Sequence, residues 1–299
     1  TNGVKQKADV LVKSYDVSNF ESNKIKSFKS DNLRDAWLEN LRDLNVCSQK
    51  GLVEKFDSSV GACTVLMPFG GKTSMTPTEG MAAKLPLLNG QTNTCTLMAH
   101  GFDPKLSKLS PYHGAIYAVL HSVAKIVAMG GDYSKIRLSF QEYFEKLGKD
   151  EEKWGKPFAA LLGAFKIQHE LKIPAIGGKD SMSGTFKDIN VPPSLISFAV
   201  CVEDIENVIS PEFKKAGSKV ILIKAKKDEN YIPNFDDIKN KYSKIHDLII
   251  NGRVLSAHTV GYGGLAEAIS KMSFGNKIGF STIGSTIFDS NFYFAPKYG

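Results

Sequence analysis

Long apolar runs are missing from this 299-residue sequence, and none approaches the roughly 20 residues that a membrane-spanning helix needs. The richest stretch, Ala115 to Met129, is interrupted by His121 and Lys125. No basic-then-apolar leader opens the chain, so a cytoplasmic address is expected. Cysteine is scarce, with Cys47, Cys63, Cys95 and Cys201 far apart and no Cys-x-x-Cys pair. Zinc and iron–sulfur sites need close ligand pairs, and small secreted folds need denser cysteine, so buried free thiols are expected. A nucleic-acid signature is also lacking. The formal charge is +7, but the lysines are interleaved with acidic residues and form no basic stripe with aromatics. Neither nucleic acid nor a membrane is an expected partner. What is present, 42% hydrophobic and 23% charged residues, is the balance of a globular protein long enough for two domains. The first residue is Thr1, and a piece of a longer protein is expected.

Three regions separate. Residues 1–60 are polar and lysine-rich, with one amphipathic helix that Ser30 can cap and that carries Leu33, Trp37, Leu41 and Leu44 on one stripe. That stripe needs a surface to pack on, which makes the segment a docked arm or linker. Residues 61–205 mix strands and helices. Ala62 to Met67, Thr94 to Met98, Ile136 to Phe140, Ile173 to Ile176 and Ser194 to Val202 read as strands. Tyr112 to Met129 and Lys156 to Leu171 read as helices, the first stopped by Gly130-Gly131. Residues 206–299 form a second α/β domain, with a strand at Lys219 to Lys224, helices at Asp236 to Asn251 and Gly263 to Phe274, and a strand signal at Gly279 to Ile283. The order predicts an α+β or mixed α/β fold. Phe294 to Gly299 resembles the turn before a further strand.

Three glycine-rich segments invite a phosphate. Gly70-Gly71-Lys72-Thr73 lacks the first P-loop glycine, because Leu66 stands there, and Pro68 and Pro77 bracket it. Gly177-Gly178-Lys179-Asp180-Ser181-Met182-Ser183 follows a strand, where backbone amides commonly meet anions. There Lys179 supplies charge, Asp180 suits Mg²⁺, and Ser181 and Ser183 can donate to phosphate oxygens; an ordinary polar turn fits the same residues. Ser256 to Gly264 precedes a helix but lacks the dinucleotide spacing, since Ala266 replaces the last glycine. His121 and Lys125 lie one turn apart on one helix face. A protonated lysine does not ligate a metal, so a metal there is not expected.

The run Ile173-Pro174-Ala175-Ile176-Gly177-Gly178-Lys179-Asp180-Ser181-Met182-Ser183 closely resembles the corresponding segment of phosphoribosylformylglycinamidine synthases. Phe56 to Gly61, Val119 to Asp132, Lys135 to Ser139 and His258 to Met272 agree in the same order. The resemblance covers the chain from about residue 40. It implies two tandem copies of an aminoimidazole-ribonucleotide-synthase-like fold, each a pairing-sheet domain followed by an α/β domain. It further implies that this chain is the second copy in the long, single-chain form, with its α/β domain truncated. The implied partners are the first synthetase half and a glutaminase domain of the same chain.

The implied activity is an ATP- and glutamine-dependent ligation of purine biosynthesis. The amide oxygen of formylglycinamide ribonucleotide is activated by the γ-phosphoryl group of ATP, and ammonia then displaces phosphate to leave the amidine. Carried over residue by residue, Gly177, Gly178 and Lys179 meet ATP, with Gln141 and Glu142 as further contacts. Ser181 and Ser183 meet the ribonucleotide, and Asp180 lies near Mg²⁺; no catalytic base is implied in this half. The fragment alone is expected to be inactive, with its uncovered pairing sheet forming a homodimer. The alternative is a catalytically silent half that only completes a pseudo-dimer. An auxiliary Mg²⁺–nucleotide site of some relatives corresponds to His121, Lys125, His258, Thr259 and Gly261. Its carboxylate and amide are replaced by His121 and Lys125, so a degenerate site without metal is expected.

Overall fold

The computed structural model describes residues 7–18, 20–21, 32–56, 59, 61–282 and 290–299. Its frame is a six-stranded mixed sheet in the order β1 (Thr64–Leu66), β4 (Met81–Lys84), β5 (Thr94–Gly101), β10 (Ser194–Asp204), β6 (Arg137–Tyr143) and β7 (Ala175–Lys179). All neighbours are antiparallel except the edge pair β6–β7, which runs parallel. Two short hairpins, β2 (Phe69–Gly70) with β3 (Thr76–Pro77) and β8 (Thr185–Phe186) with β9 (Ile189–Asn190), sit outside it. Parallel strands need a crossover, and helix α5 (Glu151–Leu171) provides it between β6 and β7. The helices preceding it are α1 (Leu33–Arg42), α2 (Lys50–Val53), α3 (Pro104–Leu109) and α4 (Pro111–Ala128). Those following it are α6 (Phe235–Ile250), α7 (Gly264–Phe274) and α8 (Ser290–Phe294).

The central element is α4. Ser110 caps it by accepting from the His113 N–H, and Pro111 stands in its first turn, where the missing donor is harmless. Apolar residues surround it, so it is buried between the sheet and α5. Ile116, Val119, Leu120, Val123 and Ile126 are fully enclosed with Leu97, Leu138, Ile167 and Ala199. The chain reverses at Gly130, whose φ of 107° is open to glycine and strained for other residues. Phe235, Ile238 and Tyr242 of α6 join the same core. A smaller cluster of Ala36, Ala266, Tyr293 and Phe294, with Trp37 packed on it, ties α1 to α7 and α8.

Several elements differ from expectation. Asn32 caps α1, while Ser30 lies outside the described residues. Gly177 and Gly178 lie inside β7 instead of forming a turn after it. Lys219 to Lys224 forms no strand; Val220, Ile221 and Ile223 are exposed, and an apolar run becomes a strand only beside a pairing partner. Residues 279–282 also carry no strand, and Ile283 lies outside the described residues. The segment before Gly299 contains α8 and then a tail that returns to α4, packing Tyr298 against Tyr117 and His121. No described helix is long and apolar enough to cross a membrane. The four cysteines are free, with Cys95 and Cys201 buried and Cys47 and Cys63 half-buried.

The helices cover one face of the sheet. On the other, Thr96, Met98, Ile196, Phe198, Val200, Val202, Gln141 and Tyr143 alternate with buried neighbours. Met98 is 40% and Val202 53% exposed. His100, Arg137 and Ser139 share that face, so an apolar strip centred on β10 is flanked by polar residues, and its exposure favours association. The expected outcome is a concentration-dependent dimer by light scattering, which Met98→Lys with Val200→Lys converts to monomer. A monomer for the unchanged chain at all concentrations would refute it.

Candidate functional site

Two groups of polar residues stand at opposite ends of the α4 layer. The first surrounds β7. Strand alternation sends Gly177 and Lys179, paired with Ser139 and Gln141, to the open face. There the Lys179 ammonium sits 5.9 Å from the centre of the Tyr143 ring. Gly178 pairs with Phe140 on the helix side, where an added Cβ would come within 2.8 Å of the Phe140 carbonyl oxygen. At Gly177 the nearest atom would be 4.0 Å away. Close backbone approach to the sheet thus requires glycine at 178, whereas 177 has room above it.

After β7 the chain folds back along β6. The Ser181 N–H donates to the Glu142 carbonyl at 3.1 Å, and the Phe144 N–H donates to the Ser181 carbonyl at 2.9 Å. Ser181 and Ser183 share a hydroxyl hydrogen bond of 2.8 Å. Gln141 and Glu142 part company. Gln141 is exposed on the open face, while Glu142 points under the sheet and is 6% exposed. The Glu142 Oε1 atom has no hydrogen-bond partner among the described residues. Burial, assisted by the nearby Asp180 charge, raises its carboxyl from 4.5 to about 7. Two hard oxygen donors, Asp180 and the unpartnered oxygen of Glu142, suit Mg²⁺ in kind.

The second group surrounds the half-buried stripe Tyr117, His121 and Lys125 of α4. The Thr259 hydroxyl donates to Glu79 Oε2 at 2.5 Å and is 3.3 Å from His121 Nε2. With its proton directed at Glu79, that hydroxyl accepts from a neutral His121. Burial, then the charges of Lys125, His100 and His258, hold His121 well below its ordinary value. His258 Nδ1 lies 3.0 Å from Glu79 Oε1 and 2.6 Å from the Thr259 carbonyl. Gly261 borders the His121 ring, an added Cβ there lying 3.5 Å from it. The Lys125 ammonium donates to the His100 carbonyl at 3.0 Å. Burial lowers its pKa, and Glu79 and Glu267 oppose that shift.

His121, Lys125, His258, Thr259 and Gly261 are therefore brought together, with Glu79 as the organising carboxylate. Glu79 follows a proline-rich hairpin and belongs to no motif, so nothing in the sequence singled it out. The group does not fit Mg²⁺. The lysine cannot ligate, and among the described residues no three His, Cys, Asp or Glu side chains gather as metal ligands.

Glu142 generates a prediction. A carboxyl held at about 7 in the folded state and 4.5 when unfolded binds more protons folded. Stability is therefore undiminished below pH 4.5 and falls as the pH rises towards 7, by on the order of 3 kcal/mol at full ionisation. Chemical denaturation between pH 4.5 and 8 should show that decline, and Glu142→Gln should flatten it. Equal slopes for both proteins would refute it.

No family model matches the chain. The phosphoribosylformylglycinamidine synthase subunit PurL of Thermoplasma volcanium is 25% identical over 260 residues, covering 80% of this chain and 33% of the relative. Thermotoga maritima PurL complexed with AMPPCP superposes with a TM-score of 0.56 at 17% identity, covering 89% of this chain and 38% of that one. The same protein complexed with FGAR gives 0.52 at 17% identity, covering 75% and 33%. The chain thus spans about one third of the length of the relatives it matches. Its mixed α/β architecture is the fold of these PurL structures.

Proposed function

We propose that this chain is the second synthetase half of a long, single-chain, glutamine-dependent phosphoribosylformylglycinamidine synthase, acting in the cytoplasm, and that it contributes one wall of the site for ATP and formylglycinamide ribonucleotide. The observation that carries the reading is the Gly-Gly-Lys-Asp-Ser-Met-Ser run, which begins on the exposed edge strand β7 and continues into the segment after it, beside the uncovered sheet face. A ligand bound there would lie where this half meets a covering partner, which the reading takes to be the first synthetase half. The proposed domains remain an arm to residue 60, the sheet domain 61–205 and a truncated second domain 206–299, whose described residues carry helices and no sheet strand. Ligands solved with a PurL structure, AMPPCP and FGAR, supply the substrate classes.

In this reading Gly177 leaves room for a phosphate against the backbone, and Lys179 on the same face neutralises its charge. Gln141 lies across from Lys179 and offers an amide to the nucleotide, whereas Glu142 on the reverse face acts with Asp180. Those two carboxyls would hold Mg²⁺, which supplies charge neutralisation to the phosphates when bound. Ser181 and Ser183 donate to the ribonucleotide. The γ-phosphoryl group passes to the amide oxygen, ammonia attacks the amide carbon, and phosphate leaves. No general base is assigned to this half. The silent-half reading draws on the second polar group, whose lysine replaces a metal ligand.

Ser181→Ala in the intact enzyme is expected to raise KM for the ribonucleotide about tenfold, the cost of one hydrogen bond to a charged group, with kcat little changed. An unchanged KM would favour the silent half. The isolated chain, with ATP, ammonia and the ribonucleotide, is expected to form no amidine, because the reacting groups come from both sides of the cleft. Product formation by it would overturn the fragment reading.

A further inference from the structure

We propose that the cavity between α4, the turn before α7 and the C-terminal tail is an oxyanion pocket that works without a metal, with Lys125 as its central cation and a phosphoryl-type anion as its ligand. The cavity encloses about 270 Å³, enough for a phosphate-sized group with some of its water. Three lysines line it, Lys105, Lys125 and Lys271, against two carboxylates, Asp103 and Glu267.

Both carboxylates are already engaged. Asp103 accepts from the Lys105 and Leu106 N–H groups at 2.8 and 2.9 Å and from the Tyr298 hydroxyl. Glu267 accepts from the Gly263 N–H at 2.7 Å and is bridged by Lys271. Glu79, behind the wall, is held by Thr259 and His258. Lys125 is different. Its ammonium carries three donors, and its hydrogen bond goes to a neutral carbonyl, that of His100. Among the described residues no carboxylate is in contact with it; a half-buried cation so placed is costly, and an anion in the cavity relieves that cost.

The neighbouring groups agree with this charge and not with a metal. His121 is neutral, its Nε2 is directed at Thr259, and its ring packs 5.1 Å from that of Tyr298. Where a divalent ion would draw phosphate oxygens together, the lysine side chain supplies a fixed positive charge. The inference rests on the cavity alone and stands or falls independently of the amidine-forming reading.

The test uses the full chain in metal-free buffer with EDTA, inorganic phosphate as the first probe and ADP as the second, read by calorimetric titration and thermal unfolding. Phosphate is expected to bind and raise Tm, with no tightening on adding Mg²⁺. Lys125→Met should lose about tenfold or more in affinity, while its Tm without phosphate equals or exceeds that of the unchanged chain. Lys125→Arg should keep the phosphate response. If the Met variant does not fold, Lys105→Gln at the exposed rim should weaken binding by a smaller factor. ADP competing with phosphate without Mg²⁺ identifies a nucleotide as the source of the anion, and phosphate binding alone identifies the free oxyanion. No phosphate response, an affinity unchanged by Lys125→Met (or by Lys105→Gln where the Met variant does not fold), or ADP binding that requires Mg²⁺ would overturn the proposal.

Discussion

Burial of α4 beneath the sheet is the constraint on which the rest of the structure depends. Its enclosed side chains, Ile116, Val119, Leu120, Val123, Ile126 and Val127 among them, contribute on the order of 10 kcal/mol by removal from water. An element this apolar tolerates few polar positions, and each has an assigned partner or a cavity. Ser122 is buried and bonds to Ser197 of β10 at 2.9 Å. Tyr117 donates to the Tyr231 carbonyl at 2.8 Å. His121 and Lys125 continue the same line, four residues apart. That line is where the apolar surround of α4 is interrupted, and it determines where the C-terminal tail and the turn before α7 can meet the helix.

The same packing governs the other end of the layer. Once α4 and α5 cover the inner face, β7 adds to β6 in parallel at the edge, because α5 is the crossover that returns the chain there. Placing β7 at the edge leaves Gly177, Gly178 and Lys179 exposed with only one strand neighbour. Free edges are liabilities unless blunted or covered. Here the edge carries two glycines and a lysine in place of the apolar residues found on β10. It resists extension into a larger sheet while leaving backbone and charge accessible to a ligand.

Much of the helical layer was legible in the sequence because helical periodicity and end signals act over many residues. Gly130-Gly131 stops the central helix region as expected, and Leu171 ends α5 where the pattern does. The strands were less legible, since pairing is not local. The apolar run at Lys219 to Lys224 has the composition of a strand but no neighbour among the described residues. Gly177 and Gly178 have the composition of a turn but are held in a strand by β6. The second polar group was half legible: His121 and Lys125 follow from helical spacing, and the glycine-rich turn marks Thr259 and Gly261. Glu79 was not. It follows a hairpin and lies about thirty residues before α4, and only the tertiary packing joins it to Thr259 and His258.

Strand alternation also separates two residues that adjacency in sequence had joined. Gln141 and Glu142 are consecutive, yet one faces the open side with Lys179 and the other the helical side, within reach of the Asp180 charge. A ligand lying flat on the open face meets an amide and an ammonium. A group reaching around the end of β7 meets a buried carboxyl that changes protonation near neutrality. A fixed positive charge and a titrating carboxyl are therefore held on opposite sides of the sheet edge, with the backbone of β6 between them. The uncovered face joins the first of these surfaces to whatever lies across the sheet, so covering that face would enclose Lys179 and Gln141 and leave Glu142 in its present surroundings. Enclosure lowers the local dielectric and strengthens the pull of Lys179 on an anion. The same step that buries apolar surface would thus sharpen the electrostatics of the edge.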